Sequence, residues 1–191
     1  MAMIPAPVNP IFCAPQVVQF IIEQKVFTIS SGKFVINDAF GRHLFSVKSK
    51  LPSLHVKRVL CDANGHPLVL LTKKVLTMHD SWEATSETDH DKMLFTMKKS
   101  NLLQLKPSFN VFLGLNTSKP DFTLKGDFFQ FNYTVYHHDM IVAQVNKQIN
   151  ASAILVGKDQ YVVTIQPGVD QAFIAALVVI MDQVAQDDKA E

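Results

Sequence analysis

His79, Asp80 and Ser81 bring the three residue types of a hydrolase triad into consecutive positions. On a strand, His79 and Ser81 share a face while Asp80 points away, so Asp80 cannot orient the imidazole as a triad requires. No Gly-x-Ser-x-Gly elbow accompanies them, and the adjacent Trp82 reads as a packing anchor. Two further clusters, Asp89-His90-Asp91 and His137-His138-Asp139, offer imidazole and carboxylate ligands. Adjacent side chains diverge on a strand and neither cluster has a metal-ligand spacing, so both are expected in solvated turns. Gly114, Gly126 and Gly157 are isolated, and no phosphate loop, Cys-x-x-Cys or His-Glu-x-x-His occurs. Cys13 and Cys61 fit buried small hydrophobes better than nucleophiles. The expectation is a protein without catalytic residues, metal or cofactor.

Binding chemistry is better represented. Three cation pairs, Lys57-Arg58, Lys73-Lys74 and Lys98-Lys99, each end or begin an apolar run. One side chain of each pair must face outward, and a lysine at a strand end can reach an anionic lipid head group. The same residues also block edge pairing and keep a surface soluble. Charge is unevenly placed: residues 33–74 carry eight basic and two acidic side chains, and residues 98–158 carry seven and three. The intervening residues 75–97 and the terminal residues 159–191 are acidic. The net charge of +1 argues against a surface built for nucleic acid.

The elements that must position these residues are short. The 191 residues suit one domain, 48% hydrophobic and too apolar for disorder. Runs rich in Val, Ile and Phe recur at Lys33–Asn37, Leu44–Lys48, Val56–Cys61, Leu68–Thr72, Leu94–Lys98, Phe109–Leu113, Phe128–Tyr136, Ile141–Val145 and Tyr161–Ile165. Their length and composition predict strands. The longest, Phe128–Tyr136, should put Phe129, Phe131, Tyr133 and Val135 on one face. Two stretches, from Phe34 and from Arg58, repeat the order strand, Asp-Ala-x-Gly, strand. The Asp can close a turn through its side chain and the Gly can take positive φ, so both are expected hairpins. Thr134–Val145 is a degenerate third copy without the Gly.

The C-terminus departs from this pattern. After Gln166-Pro167-Gly168, Asp170 and Gln171 can start a helix whose next ten residues, Ala172–Met181, are all apolar. That run is about half the roughly 20 residues needed to span a bilayer. A helix with no polar face and too short to span must be buried on all sides. An all-β body with one such helix implies a closed antiparallel β-barrel around it. One domain over residues 1–191 is expected, with residues 1–15 a Pro-rich arm and residues 170–184 the central helix. The prolines breaking the N-terminal apolar residues leave no secretory signal pattern, and the Asn116, Asn132 and Asn150 sequons read as chance matches.

Several segments resemble the LURP-one-related family of plant proteins. They are Val59-Leu-Cys-Asp-Ala-Asn-Gly-His-Pro-Leu68, Leu76-Thr-Met-His-Asp-Ser-Trp-Glu83, Phe12-Cys-Ala-Pro15, and the ending from Pro167 to Gln183. The family is similar to the tubby C-terminal domain and to phospholipid scramblases. The resemblance implies about twelve strands wrapped around a C-terminal hydrophobic helix. It brings no established biochemical activity with it, and some members are associated with pathogen defence. Tubby domains bind phosphoinositides, which extends to this chain only by analogy. Scramblases carry an acidic calcium-ligand segment before the terminal helix, but Gln160–Gly168 has no carboxylate here. Calcium-driven scrambling is therefore not expected.

The function expected from these observations is a non-enzymatic binding or signalling module, cytoplasmic and able to dock on phosphoinositide or other anionic membranes. Lys57, Arg58, Lys73, Lys74, Lys98 and Lys99 are its candidate lipid-binding residues. The alternative is a nuclear or cytosolic protein–protein adaptor, as for tubby-like regulators. No cluster of five or more basic residues supports nuclear import. Nucleic acid is not an expected partner, and no transmembrane segment is expected.

Overall fold

A computed structural model describes residues 3–24, 34–49, 56–74, 81–89, 92–100, 108–115, 118–148 and 160–187. Its strands are β1 Val18–Gln24, β2 Phe34–Asp38, β3 His43–Ser49, β4 Lys57–Asp62, β5 Pro67–Lys74 and β6 Ser81–Ser86. They continue as β7 Met93–Lys99, β8 Ser108–Leu113, β9 Phe122–Asp127, β10 Asn132–His137, β11 Met140–Gln148 and β12 Gln160–Ile165. Each strand pairs antiparallel with its sequence neighbours, and β1 pairs with β12 to close the barrel. Closure leaves the sheet without an edge, which removes the hazard of strand addition.

Alternation fills the lumen. Phe20, Ile22, Ile36, Phe45, Leu60, Leu71, Trp82, Phe95, Met97, Leu124, Val135 and Val163 are all buried there in one core with the helix. The helix, α1, spans Gln171–Asp187, about 25 Å at 1.5 Å per residue. Every residue from Ala172 to Ala185 is buried, so the helix is enclosed on all sides. Small alanines at 172, 175 and 176 let the strands approach, while Phe173 fills the lumen against Phe95 and Phe122 at ring-centroid distances of 5.2 and 4.8 Å.

The helix start is capped as its sequence suggests. Asp170 Oδ1 accepts the backbone N–H of Phe173 at 3.1 Å, and Asp170 Oδ2 accepts those of Val8 and Asn9 at 2.8 and 3.0 Å. One buried carboxylate thereby caps α1 and anchors the N-terminal segment. That segment also rests Phe12 against Phe45, with ring centroids 5.6 Å apart, and the Gly168 N–H bonds Ala14.

Both Asp-Ala-x-Gly stretches form hairpin turns. Asp38 Oδ1 accepts the N–H of Phe40 and Arg42, each at 2.9 Å, and Asp62 Oδ1 accepts those of Asn64 and His66 at 2.9 and 2.8 Å. Gly41 and Gly65 hold φ of +79° and +84°, which a side chain would oppose. In the degenerate third copy, β10 and β11 form a hairpin in which His138 takes the positive φ, +53°.

The expected strand Phe128–Tyr136 is not one strand. β9 ends at Asp127, Phe128–Phe131 turns, and β10 begins at Asn132. Tyr133 and Val135 face the lumen, whereas Phe129 is 54% exposed at the turn. Gly126 permits this tight reversal, because a Cβ there would lie 2.4 Å from the Asn132 carbonyl oxygen. Strands β1, β6 and β9 were not among the apolar runs, since Gln19, Glu83 and Lys125 interrupt them.

Candidate functional site

All three cation pairs lie at one end of the barrel, because β5 and β7 run toward it and β4 starts from it. It is also the end where α1 terminates. Strand alternation splits each pair between the two sides of the wall. Lys57, Lys74 and Lys98 face outward, while Arg58, Lys73 and Lys99 follow the inward parity of Leu60, Leu71 and Met97.

Two of the inward set serve the helix. The last turns of α1 contain Asp182 and Asp187 and no basic residue, although a helix C-terminus already carries partial negative charge. The strands supply the missing cations. Lys73 Nζ is 2.8 Å from Asp187 Oδ2, and Gln183 Nε2 donates to Asp187 Oδ1 at 2.7 Å. Arg58 Nη2 donates to Gln183 Oε1, which completes a chain from β4 through α1 to β5. Arg58 is only 6% exposed. Burial pulls its guanidinium below the usual arginine range, and Asp182 and Asp187 oppose that shift. Arg58 and Lys73 are thus the inward members of their pairs and hold the barrel to its helix. Lys99 is half-buried at the rim.

The outward set forms a row. Ser81 pairs with Lys74 on one side and with Lys98 on the other. At about 4.8 Å per strand, these lysines emerge about 10 Å apart. Lys57 lies on the same outer wall, in the row of Thr72 and Glu83. Lys74 Nζ is 2.8 Å from Glu83 Oε2. Lys98 Nζ lies 5.8 Å from the Phe112 ring centroid. A fourth outward cation is Lys125 on β9, whose register partner is Ser108. Its Nζ stands 5.6 Å from the Tyr136 ring centroid, a cation–π distance. As a lone lysine it carries no pair signal; strand parity would have found it.

The other candidates resolve differently. His137 is buried, not solvated; its Nδ1 lies 2.9 Å from the Asp121 carbonyl oxygen and its ring packs on Phe122. His138, Asp139 and Asp89 are exposed, while His79, Asp80, His90, Asp91, Gly157, Asn116 and Asn150 lie outside the described residues. Among the described residues no group of three His, Cys, Asp or Glu side chains could hold a metal ion. Burial pushes both the Cys13 and Cys61 thiols up, away from the reactive thiolate. No helix among the described residues is long and apolar enough to cross a membrane.

A barrel of twelve antiparallel strands around a buried C-terminal helix defines the class, and comparison with known proteins supplies the family. The LURP-one-related family profile matches residues 18–182, and the chain belongs to that family. It is 42% identical to Protein LURP-one-related 15 of Arabidopsis thaliana, over 96% of this chain and 87% of the relative. Identity to Protein LURP-one-related 10 of the same plant is 38%, over 96% and 98%. An X-ray structure of an Arabidopsis thaliana protein superposes with a TM-score of 0.71 at 38% identity, covering 93% of this chain and 96% of that one.

Proposed function

We propose that this protein is a non-enzymatic docking module of the cytoplasm that attaches reversibly to anionic membranes through the outer wall at the helix C-terminal rim. The observation that carries the reading is the outward row in which Lys74 and Lys98 flank Ser81, with Lys57 and Lys125 farther round the same rim. Each cation near an anionic bilayer contributes about 1 kcal/mol. Four give about 4 kcal/mol, a millimolar-class attraction, and Glu83 diminishes the share of Lys74. Docking of this strength is reversible and salt-sensitive, as a signalling module requires. Phosphoinositide head groups, with several phosphates each, are the anions best matched to a lysine row. A role in plant defence accords with the family likeness.

Co-sedimentation tests this reading. Phosphatidylcholine liposomes containing phosphatidylinositol bisphosphate should pellet the protein at low salt, and pure phosphatidylcholine should not. Lys57→Ala with Lys98→Ala should weaken pelleting, as should raised salt. Wild-type protein left in the supernatant by anionic liposomes at low salt would refute the reading.

A protein–protein adaptor is the second reading, and the opposite rim favours it. Phe40 and Leu115, on the turns there, are 86% and 88% exposed. The Arg42 guanidinium lies 5.6 Å from the Phe40 ring centroid, and exposed apolar side chains among mixed charges such as Arg42, Asp62 and Asp139 suit a protein surface better than an anionic bilayer.

A further inference from the structure

We propose that Phe129, at the tip of the β9–β10 turn, enters the interfacial layer of an anionic bilayer when the lysine-bearing rim docks. The inference rests on the membrane reading above and adds the apolar contact that a millimolar-class attraction lacks.

Single exposed apolar side chains are ordinary on protein surfaces. Phe129 differs in how it is presented. Its neighbours are rooted in the core: Phe128 stacks on Phe109 and Tyr133 at 5.0 and 5.3 Å, and Phe131 stacks on Tyr161 at 4.2 Å. Phe131 holds a φ of +50°, a conformation costly for an aromatic residue and maintained only where the surroundings fix it. The Asp127 carboxylate accepts the Gln130 N–H at 3.0 Å and closes the turn. Three aromatics in four residues would ordinarily all turn inward, yet here the middle one is held out, 54% exposed, on a rigid turn.

Charge selects the occupant. β9 runs toward the rim where Lys74 and Lys98 emerge, and its end before Phe129 carries exposed Lys125 and Asp127, the latter with one oxygen occupied by the Gln130 N–H. An apolar tip beside cations fits the bilayer interface, where aromatic side chains sit below a layer of anionic head groups. At the opposite rim the exposed Phe40 lies under the Arg42 guanidinium, 5.6 Å from its ring centroid, and Arg42 also pairs with Asp38; Asp62, Asp89 and Asp139 lie on neighbouring turns with Lys92 and Lys119. Cations and carboxylates offset each other there, so that rim lacks the excess of cations found where Lys74, Lys98 and Lys125 emerge.

The test uses the full chain with Phe129→Trp and Phe129→Ala. Trp82, the one native tryptophan, is buried within the barrel and serves as an internal reference. On phosphatidylcholine–phosphatidylserine vesicles with brominated acyl chains, emission of F129W should be quenched and wild-type emission should not. F129A should partition about tenfold more weakly, half of what full burial of a Phe supports on a logarithmic scale, with an unchanged thermal midpoint. If wild type binds but F129W escapes quenching, or F129A binds as wild type does, the inference on Phe129 is overturned while the lysine rim stands. If wild type ignores these vesicles at low salt, the membrane reading falls with it and Phe129 becomes a protein contact.

Discussion

The Lys73 ammonium and the Asp187 carboxylate meet at 2.8 Å across the gap between β5 and the last turn of α1. They are 20% and 31% exposed, so water screens the pair only in part. Lys73 offsets both a carboxylate and the negative end of a helix. Lys73→Met should lower stability by about 1 kcal/mol, read from the urea midpoint. Lys74→Met, which loses a more exposed pair with Glu83, should cost less than about 0.5 kcal/mol. Equal costs would contradict the division between inward and outward lysines.

Arg58 is a sharper case. Its removal takes the donor from buried Gln183 and a buried positive charge from beside Asp182, while Asp187 keeps Lys73. Arg58→Ala should destabilise by about 3 kcal/mol. Liposome binding, measured well below the new thermal midpoint, should be unchanged. Loss of binding without loss of stability would return Arg58 to the docking surface.

The enclosure of α1 predicts intolerance to charge. Ala176 is fully buried, and Ala176→Asp should cost several kcal/mol, roughly 3–5, because the carboxylate finds no partner there. Truncation after Gly168 should give insoluble protein. A soluble truncated chain that melts cooperatively would contradict the role of the helix.

Acid should act on two kinds of aspartate in opposite senses. For Asp38, burial raises the carboxyl, but hydrogen bonds from the Arg42 backbone and side chain and from Phe40 outweigh it and hold it below the usual range. Asp62 behaves alike through His66 and Asn64. Their contribution is present above the ordinary aspartate pKa, about 3.9, and is lost as pH falls through the depressed values. For Asp170, burial dominates and raises the carboxyl despite N–H donors from Phe173, Val8, Asn9 and Ala172. The folded state there binds the proton more tightly than the unfolded chain, so stability falls as pH rises from the ordinary value through the raised one. Carbon-detected NMR titration of the three carboxyls should show this order, with Asp170 titrating highest.

Much of the barrel was legible because its signals are local. Asp38 and Asp62 with Gly41 and Gly65 specify turns within four residues, and the apolar run from Ala172 admits one environment. The aromatic run was misread because its turn contains no Gly or Pro; Phe131 supplies the positive φ. The inward placement of Arg58 was hidden for another reason. On β4, Arg58, Val59, Leu60 and Cys61 are all buried, so no alternation shows which parity faces the lumen. Register across neighbouring strands decides it, and register is not a property of any single segment.

The pairing of β1 with β12 makes β1 wait for its partner until residues 160–165 have been made. The helix that fills the lumen emerges later still. During synthesis, Phe20, Ile22, Ile36 and Phe45 must therefore stay uncovered on an open, curling meander. Such late long-range closure slows folding and prolongs the exposure of sticky surface. The nascent chain should consequently lean on chaperones until its final turn, Val184 to Asp187, has left the ribosome. A stop that removes α1 would then leave this whole lumen unfilled.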